Sequence, residues 1–150
     1  MGELRHATIT QIEANHRSLL SLCDALEAVA DSLPGRVDRS LCRHLAQSLT
    51  MVLQRAQQVE ERLAFPLLET WKSGGVALAD ALARLRQEHQ TDQSYAADIE
   101  EVLRAYGDGW PVLSADAVGF MLRGFFEALR RHIAFEQQLL IPLLSLRLGG

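Results

Sequence analysis

Apolar residues recur along this chain at helical intervals of three and four, in four long segments that never fall into the alternation of a strand. The first stripe reads Ile9, Ile12, His16, Leu19, Leu20, Cys23, Leu26. The second reads Leu45, Leu49, Val52, Ala56, Val59, Glu60, Leu63, Leu67. The third reads Leu78, Leu82, Leu85, His89, Ala96, Ile99, Leu103, and the fourth Val118, Met121, Leu122, Phe125, Leu129, His132, Glu136, Leu139, Leu143. Glycine and proline separate the segments at Leu33-Pro34-Gly35, Ser73-Gly74-Gly75 and Gly107-Asp108-Gly109-Trp110-Pro111. This punctuation predicts helices over 5–32, 38–72, 76–106 and 115–146, with Ser114 as N-cap of the fourth and Gly74 as C-cap of the second. Short connections and one apolar face per helix predict an all-α, antiparallel up-down-up-down four-helix bundle, with residues 1–150 forming a single domain.

Every stripe carries a polar interruption: His16, Glu60, His89, and His132 with Glu136. One buried histidine is commonly an ordinary core residue, but a buried carboxylate is costly unless something offsets its charge. Five such groups spread over four helices ask for a common explanation. Counting back from the third loop brings His89 and His132 to similar heights, and the first helix pair brings His16 near Glu60. His132 and Glu136 stand one turn apart on one face.

A repeat ties two of these groups together. Glu60-Glu61-Arg62-Leu63-Ala64-Phe65-Pro66-Leu67-Leu68 parallels Glu136-Gln137-Gln138-Leu139-Leu140-Ile141-Pro142-Leu143-Leu144, with a glutamate six residues before a helix-interior proline in both. The second copy has His132 four residues before its glutamate; the first has Ala56 at the matching place. Imidazole and carboxylate together suit non-haem iron, manganese or zinc. Each proline is expected to bend its helix just past the glutamate.

Composition narrows the field. Apolar residues make up 48% of the chain, and no run of about 18 uninterrupted apolar residues or apolar leader core is present. A cytoplasmic protein is expected, with no membrane partner. The net charge of -4 argues against nucleic acid. Lys72 is the only lysine, an arginine bias that suits a GC-rich bacterial genome. Cys23 and Cys42 form no disulfide framework, and Cys23 lies on a core stripe as a free thiol.

Taken in order, Glu13-Ala14-Asn15-His16-Arg17-Ser18-Leu19-Leu20, Glu60-Glu61-x-x-x-Phe65-Pro66, Glu88-His89 and His132-Ile133-Ala134-Phe135-Glu136 resemble the hemerythrin-like, HHE cation-binding family over nearly the whole chain. The resemblance implies a non-haem di-iron centre. His16, Glu60, His89, His132 and Glu136 would be its ligands, and the two glutamates would bridge the metals. It further implies binding or sensing of a diatomic or related reactive species such as oxygen or nitric oxide, rather than an enzymatic activity. Gln93 stands where the oxygen-carrying branch has a further histidine, which argues against reversible oxygen carriage.

Ala56 is the larger departure, since it coordinates nothing. Gln57 and Glu61 point about 100° or more away and reach the site only if the helix rotates or bulges. Three arrangements stay open: two metals with one short of a histidine, one metal on His89, His132 and a glutamate, or an empty, degenerate site. The last makes the protein a metal-free interaction scaffold, the competing reading.

Other assignments are plainer. His44 shares an outer face with Ser48 and Arg55, and His6 lies near the terminus. Asp92, one turn after His89, is either a surface charge or a group that orients a ligand imidazole. Trp71 and Trp110 are expected to anchor core edges. Apart from Glu3-x-x-His6 near the terminus, Glu-x-x-His occurs once, as Glu13-x-x-His16 on the same first helix, whereas a ferritin-like site needs it on two helices; no haem-attachment motif occurs.

Overall fold

The structure, a computed structural model, describes residues 2–71 and 74–149, with the side chains of residues 2, 4 and 5 left aside. Within the described residues all regular structure is helical. Helix α1 spans Gly2–Ser32 and α2 Arg39–Val59; a π-helical turn over Glu60–Ala64 leads into the short α3, Phe65–Glu69. Helix α4 spans Gly75–Gly107, α5 Ala115–Gln138 and α6 Leu140–Gly149. The long rods pack in the cyclic order α1, α2, α4, α5, which puts α1 diagonal to α4 and α2 diagonal to α5. This is the predicted up-down-up-down bundle.

Local chemistry explains most helix ends. Asp38 caps α2 by accepting the Leu41 N–H, and Ser114 caps α5 by accepting that of Ala117. Gly74 departs from expectation: it is the N-cap of α4, whereas the helix before it closes at Thr70, whose N–H bonds the Pro66 carbonyl. The predicted second-helix end at residue 72 lies outside the described residues. Trp71 packs half-buried on the core edge, but Trp110 is 81% exposed and anchors nothing.

The second and fourth predicted helices are each interrupted just past their glutamate. In the first repeat the Phe65 N–H reaches back five residues to the Glu60 carbonyl. Pro66 has no N–H to offer, and this wide turn absorbs the mismatch. In the second repeat the helix breaks at Leu139, three residues before Pro142, with φ −114° and ψ −57°. Both interruptions shift the buried face by one position. Ala64 and Leu68 are buried in place of Leu63, which is 50% exposed, and of Leu67; Leu140 and Leu144 are buried in place of Leu139 and Leu143.

The core divides into two apolar clusters. One includes Leu19, Leu26, Leu49, Leu53, Ile99, Phe125 and Ile133; Cys23 and Cys42 lie in it as free thiols. The other includes Ile12, Phe65, Leu68, Leu82, Leu85, Leu140 and Leu144. Every long rod crosses between them at a polar residue: His16 follows Ile12, Glu60 precedes Ala64, His89 follows Leu85, and Glu136 precedes Leu140.

At the far end of the first cluster, the Gly107 carbonyl accepts from Arg39 Nε at 3.1 Å and Arg43 Nη1 at 2.6 Å, fastening the end of α4 to the start of α2. A Cβ on Gly107 would come within 2.5 Å of Arg43 Cγ and 3.2 Å of the Arg39 carbonyl oxygen. Gly107→Ala is therefore expected to lower stability by about 1–3 kcal/mol in chemical denaturation. An unchanged midpoint would show that this junction gives way freely.

Candidate metal centre

The polar layer brings all five predicted ligands together. His16, Glu60, His89 and Glu136 are buried, and His132 is nearly so. Ligand-type atoms of Glu60, His89, His132 and Glu136 all lie within 4.8 Å of one another. Each glutamate divides its oxygens between two sides. Glu60 Oε1 meets His89 Nε2 at 3.1 Å, while its Oε2 lies 3.7 Å from His16 Nε2. Glu136 Oε1 contacts His132 Nε2, and its Oε2 lies 3.5 Å from His16 Nε2. One side thus offers two imidazoles and two carboxylate oxygens, the other one imidazole and two carboxylate oxygens.

Ala56 is buried and lines a cavity of about 10 Å³ with Leu19, Leu53, Leu129 and Ile133, beside Glu60, His89, His132 and Glu136 of the layer. Position 56 therefore faces the layer, and alanine leaves that direction without a donor. The predicted condition for its neighbours, a helix bulge, is met by the π turn. Glu61 reaches the outer nitrogen of His89, Nδ1, at 2.9 Å, although it does not enter the layer. Gln57 is buried; its Nε2 donates to the His89 carbonyl at 3.1 Å and its Oε1 accepts from Gln93 Nε2.

Supporting carboxylates were hard to see in the sequence. Glu88 Oε2 pairs with His132 Nδ1 at 2.9 Å, as Glu61 does with His89. Both imidazoles are thereby turned with Nε2 toward the layer. Glu88 merely precedes His89 in sequence, and Glu61 follows Glu60; neither spacing marks a carboxylate that reaches an imidazole on another helix. Asp92 lies between its two alternatives: it is only 17% exposed, and its Oδ2 is 4.0 Å from His132 Nδ1 without a hydrogen bond to it. Phe65 stacks on His89, with centroids 5.7 Å apart, and the Arg86 guanidinium lies over Phe65. His44 and His6 are exposed, away from the layer.

The electrostatics are those of buried anions seeking cations. Burial pushes the Glu60 pKa up and the Glu136 charge adds to it, outweighing His16 and His89. Burial acts on Glu136 in the same sense, but His132 and His16 overcome it and hold that carboxyl well below the usual range. Burial lowers the imidazole pKa values, yet the facing carboxylates more than offset it, raising His16 and His132 to about 9 and His89 above its ordinary value. Both nitrogens of His16 and Glu136 Oε2 lack a hydrogen-bond partner. A donor set of nitrogen and carboxylate oxygen with unsatisfied buried atoms fits a transition-metal cation.

A four-helix bundle with a His and carboxylate layer across its middle defines a class of buried cation-site proteins. The model of the hemerythrin HHE cation binding domain matches residues 7–144, and the chain belongs to that family. No curated protein and no solved structure gives a significant match. None of the described helices is long and apolar enough to cross a membrane.

The raised imidazole values fix a pH dependence for the metal-stripped protein. Groups titrating at about 9 when folded and near 6.5 when unfolded give stability that is complete below 6.5 and lost as pH rises through 9. Each is worth up to about 3 kcal/mol, and because His16 and His132 share Glu136 the two do not simply add. Thermal melting of the stripped protein should fall between pH 6.5 and 9, and His16→Phe should flatten that fall. A flat profile in the parent protein would mean the imidazoles are not protonated in the fold.

Proposed function

We propose that this protein binds iron through His16, Glu60, His89, His132 and Glu136, and uses the centre to bind or sense a small species such as oxygen or nitric oxide. The observation that carries this reading is the division of oxygens on the two glutamates. Each aims one oxygen at the His89 and His132 side and the other at His16. Two carboxylates placed this way are disposed to bridge a pair of cations, and the cations would offset their buried charge. The side with His89 and His132 is the better furnished, so a first ion is held there and a second more weakly beside His16.

When bound, iron supplies an open coordination position at which a diatomic ligand is held. The chain's own part is to shape that position. Ala56 leaves a cavity of about 10 Å³, roughly the room one water needs, walled in part by Leu19, Leu53, Leu129 and Ile133. The rest of its lining is polar: Gln57, Asp92 and the layer residues Glu60, His89, His132 and Glu136. Gln57 and Gln93 bond to each other where a further histidine would stand, which favours sensing over reversible carriage.

The metal-free scaffold reading draws support from Ala56 and from the ion pairs that the layer forms within itself. Against it stands the price of burying two carboxylates and three imidazoles, which apolar replacements would remove.

The deciding measurement is metal per chain, with visible absorption, on untagged protein produced with iron. One tightly held ion with a second of lower affinity is expected. No iron after anaerobic ferrous reconstitution would leave the scaffold reading. Glu136→Ala should abolish metal retention. Ala56→His should raise the content toward two ions or change the spectrum, while His44→Ala should leave both as they are. Full retention in Glu136→Ala would overturn the site.

A further inference from the structure

Two surface grooves approach the polar layer, and they differ in what lies at the bottom. The groove between α4 and α5 has a volume of about 450 Å³ and is lined by Arg84, Glu88, Asp92, Ala128, Arg131 and His132. The groove between α1 and the α2 end of the first repeat is slightly larger, about 540 Å³, but carries Arg55 and Arg62 with no acid and no layer residue. The packing of α4 against α5 is the sparsest of the four lateral interfaces, which is why a groove opens there at the height of the layer.

At the base of the α4–α5 groove stands His132. Its side chain is 8% exposed, against 1% for His16 and 3% for His89, so it is the layer imidazole that solvent reaches. Glu88 holds it from the groove side: Oε2 pairs with His132 Nδ1, while Oε1 accepts from the exposed Arg84. Asp92 sits behind them, its Oδ2 buried and without a hydrogen-bond partner. At His89, which is less exposed, Glu61 takes Nδ1, and the Gln57–Gln93 pair and Phe65 pack beside it.

We infer that the α4–α5 groove is the port by which a divalent cation enters and leaves the layer, that Glu88 and Asp92 receive it, and that His132 turns aside to let it pass. The chemistry is graded in the right order. A hydrated cation first meets a half-exposed carboxylate, then a less exposed one, then an imidazole and finally the buried carboxylates of Glu136 and Glu60. The charges of Arg84 and Arg131 sit at the rim, where solvent screens them. By contrast, the two arginines of the α1–α2 groove have no acid beside them to lead a cation inward. The inference rests on the metal-binding reading proposed above.

The test follows cobalt(II) entering the metal-stripped full chain by its ligand-field absorption in a rapid-mixing experiment, and leaving it to an excess chelator. Ala128→Trp fills the groove one turn before His132 without replacing a layer residue, so equilibrium affinity is read beside the rates. It should slow uptake and release alike by about tenfold or more, leaving the equilibrium affinity within about threefold. Gln58→Trp, which adds the same bulk to the α1–α2 groove, should match the parent rates. Ala128→Leu should fall between, and it carries the test if circular dichroism shows the tryptophan variant unfolded. Parent-like rates in the Ala128 variants, or equal slowing in Gln58→Trp, would overturn the port while leaving the metal site standing. Failure of the parent protein to bind cobalt at equilibrium would remove the metal reading, and the port with it.

Discussion

Two glutamates face one another in the middle of an apolar bundle, and the rest of the structure answers to that repulsion. Glu60 and Glu136 lie nine-tenths or more out of water, where an uncompensated charge costs several kcal/mol. Three imidazoles crowd around them. Protonated, these supply the positive charge; deprotonated, they present nitrogen to a metal. The same geometry would suit a proton-filled and a cation-filled layer, since the groups that carry protons in one are the donors of the other.

The scaffold is arranged to keep this layer narrow. Apolar packing resumes within one turn of every polar residue, at Ile12 and Leu19 around His16 and at Leu85 below His89. Glu61 and Glu88 then reach in from half-exposed positions to fix the outer nitrogens of two imidazoles. Surface carboxylates of this kind orient the inner groups without adding a further buried charge of their own.

The bundle was legible in the sequence because helical periodicity over thirty-residue stretches is hard to mimic by chance. The five layer residues were legible because each broke an apolar stripe, and Ala56 because the repeat supplied a template against which its absence showed. Past each glutamate the reading failed in a systematic way. An ideal period put Leu63 and Leu139 inward, whereas the π turn and the break at Leu139 bury Ala64 and Leu140. The prolines signalled a disturbance, but a proline does not say whether the chain will widen or break. Glu61 and Glu88 escaped notice for another reason: reaching an imidazole on a neighbouring helix is a tertiary property that spacing within one helix does not encode. Gly74 was misassigned because a glycine between two helices serves either end, and the path of the connection decides which.

The interruptions also sort the four rods into two kinds. Helices α1 and α4 run unbroken through the layer and stand on one diagonal of the bundle; the rods that carry Glu60 and Glu136 are broken just beyond it and stand on the other. Histidines from the stiff diagonal thus meet carboxylates mounted on the compliant one. The two glutamates therefore sit immediately before the joints of their own rods. The end of the bundle where Leu68, Leu144 and Leu148 pack is thus carried, on that diagonal, by short helices set off from the rods that hold the glutamates.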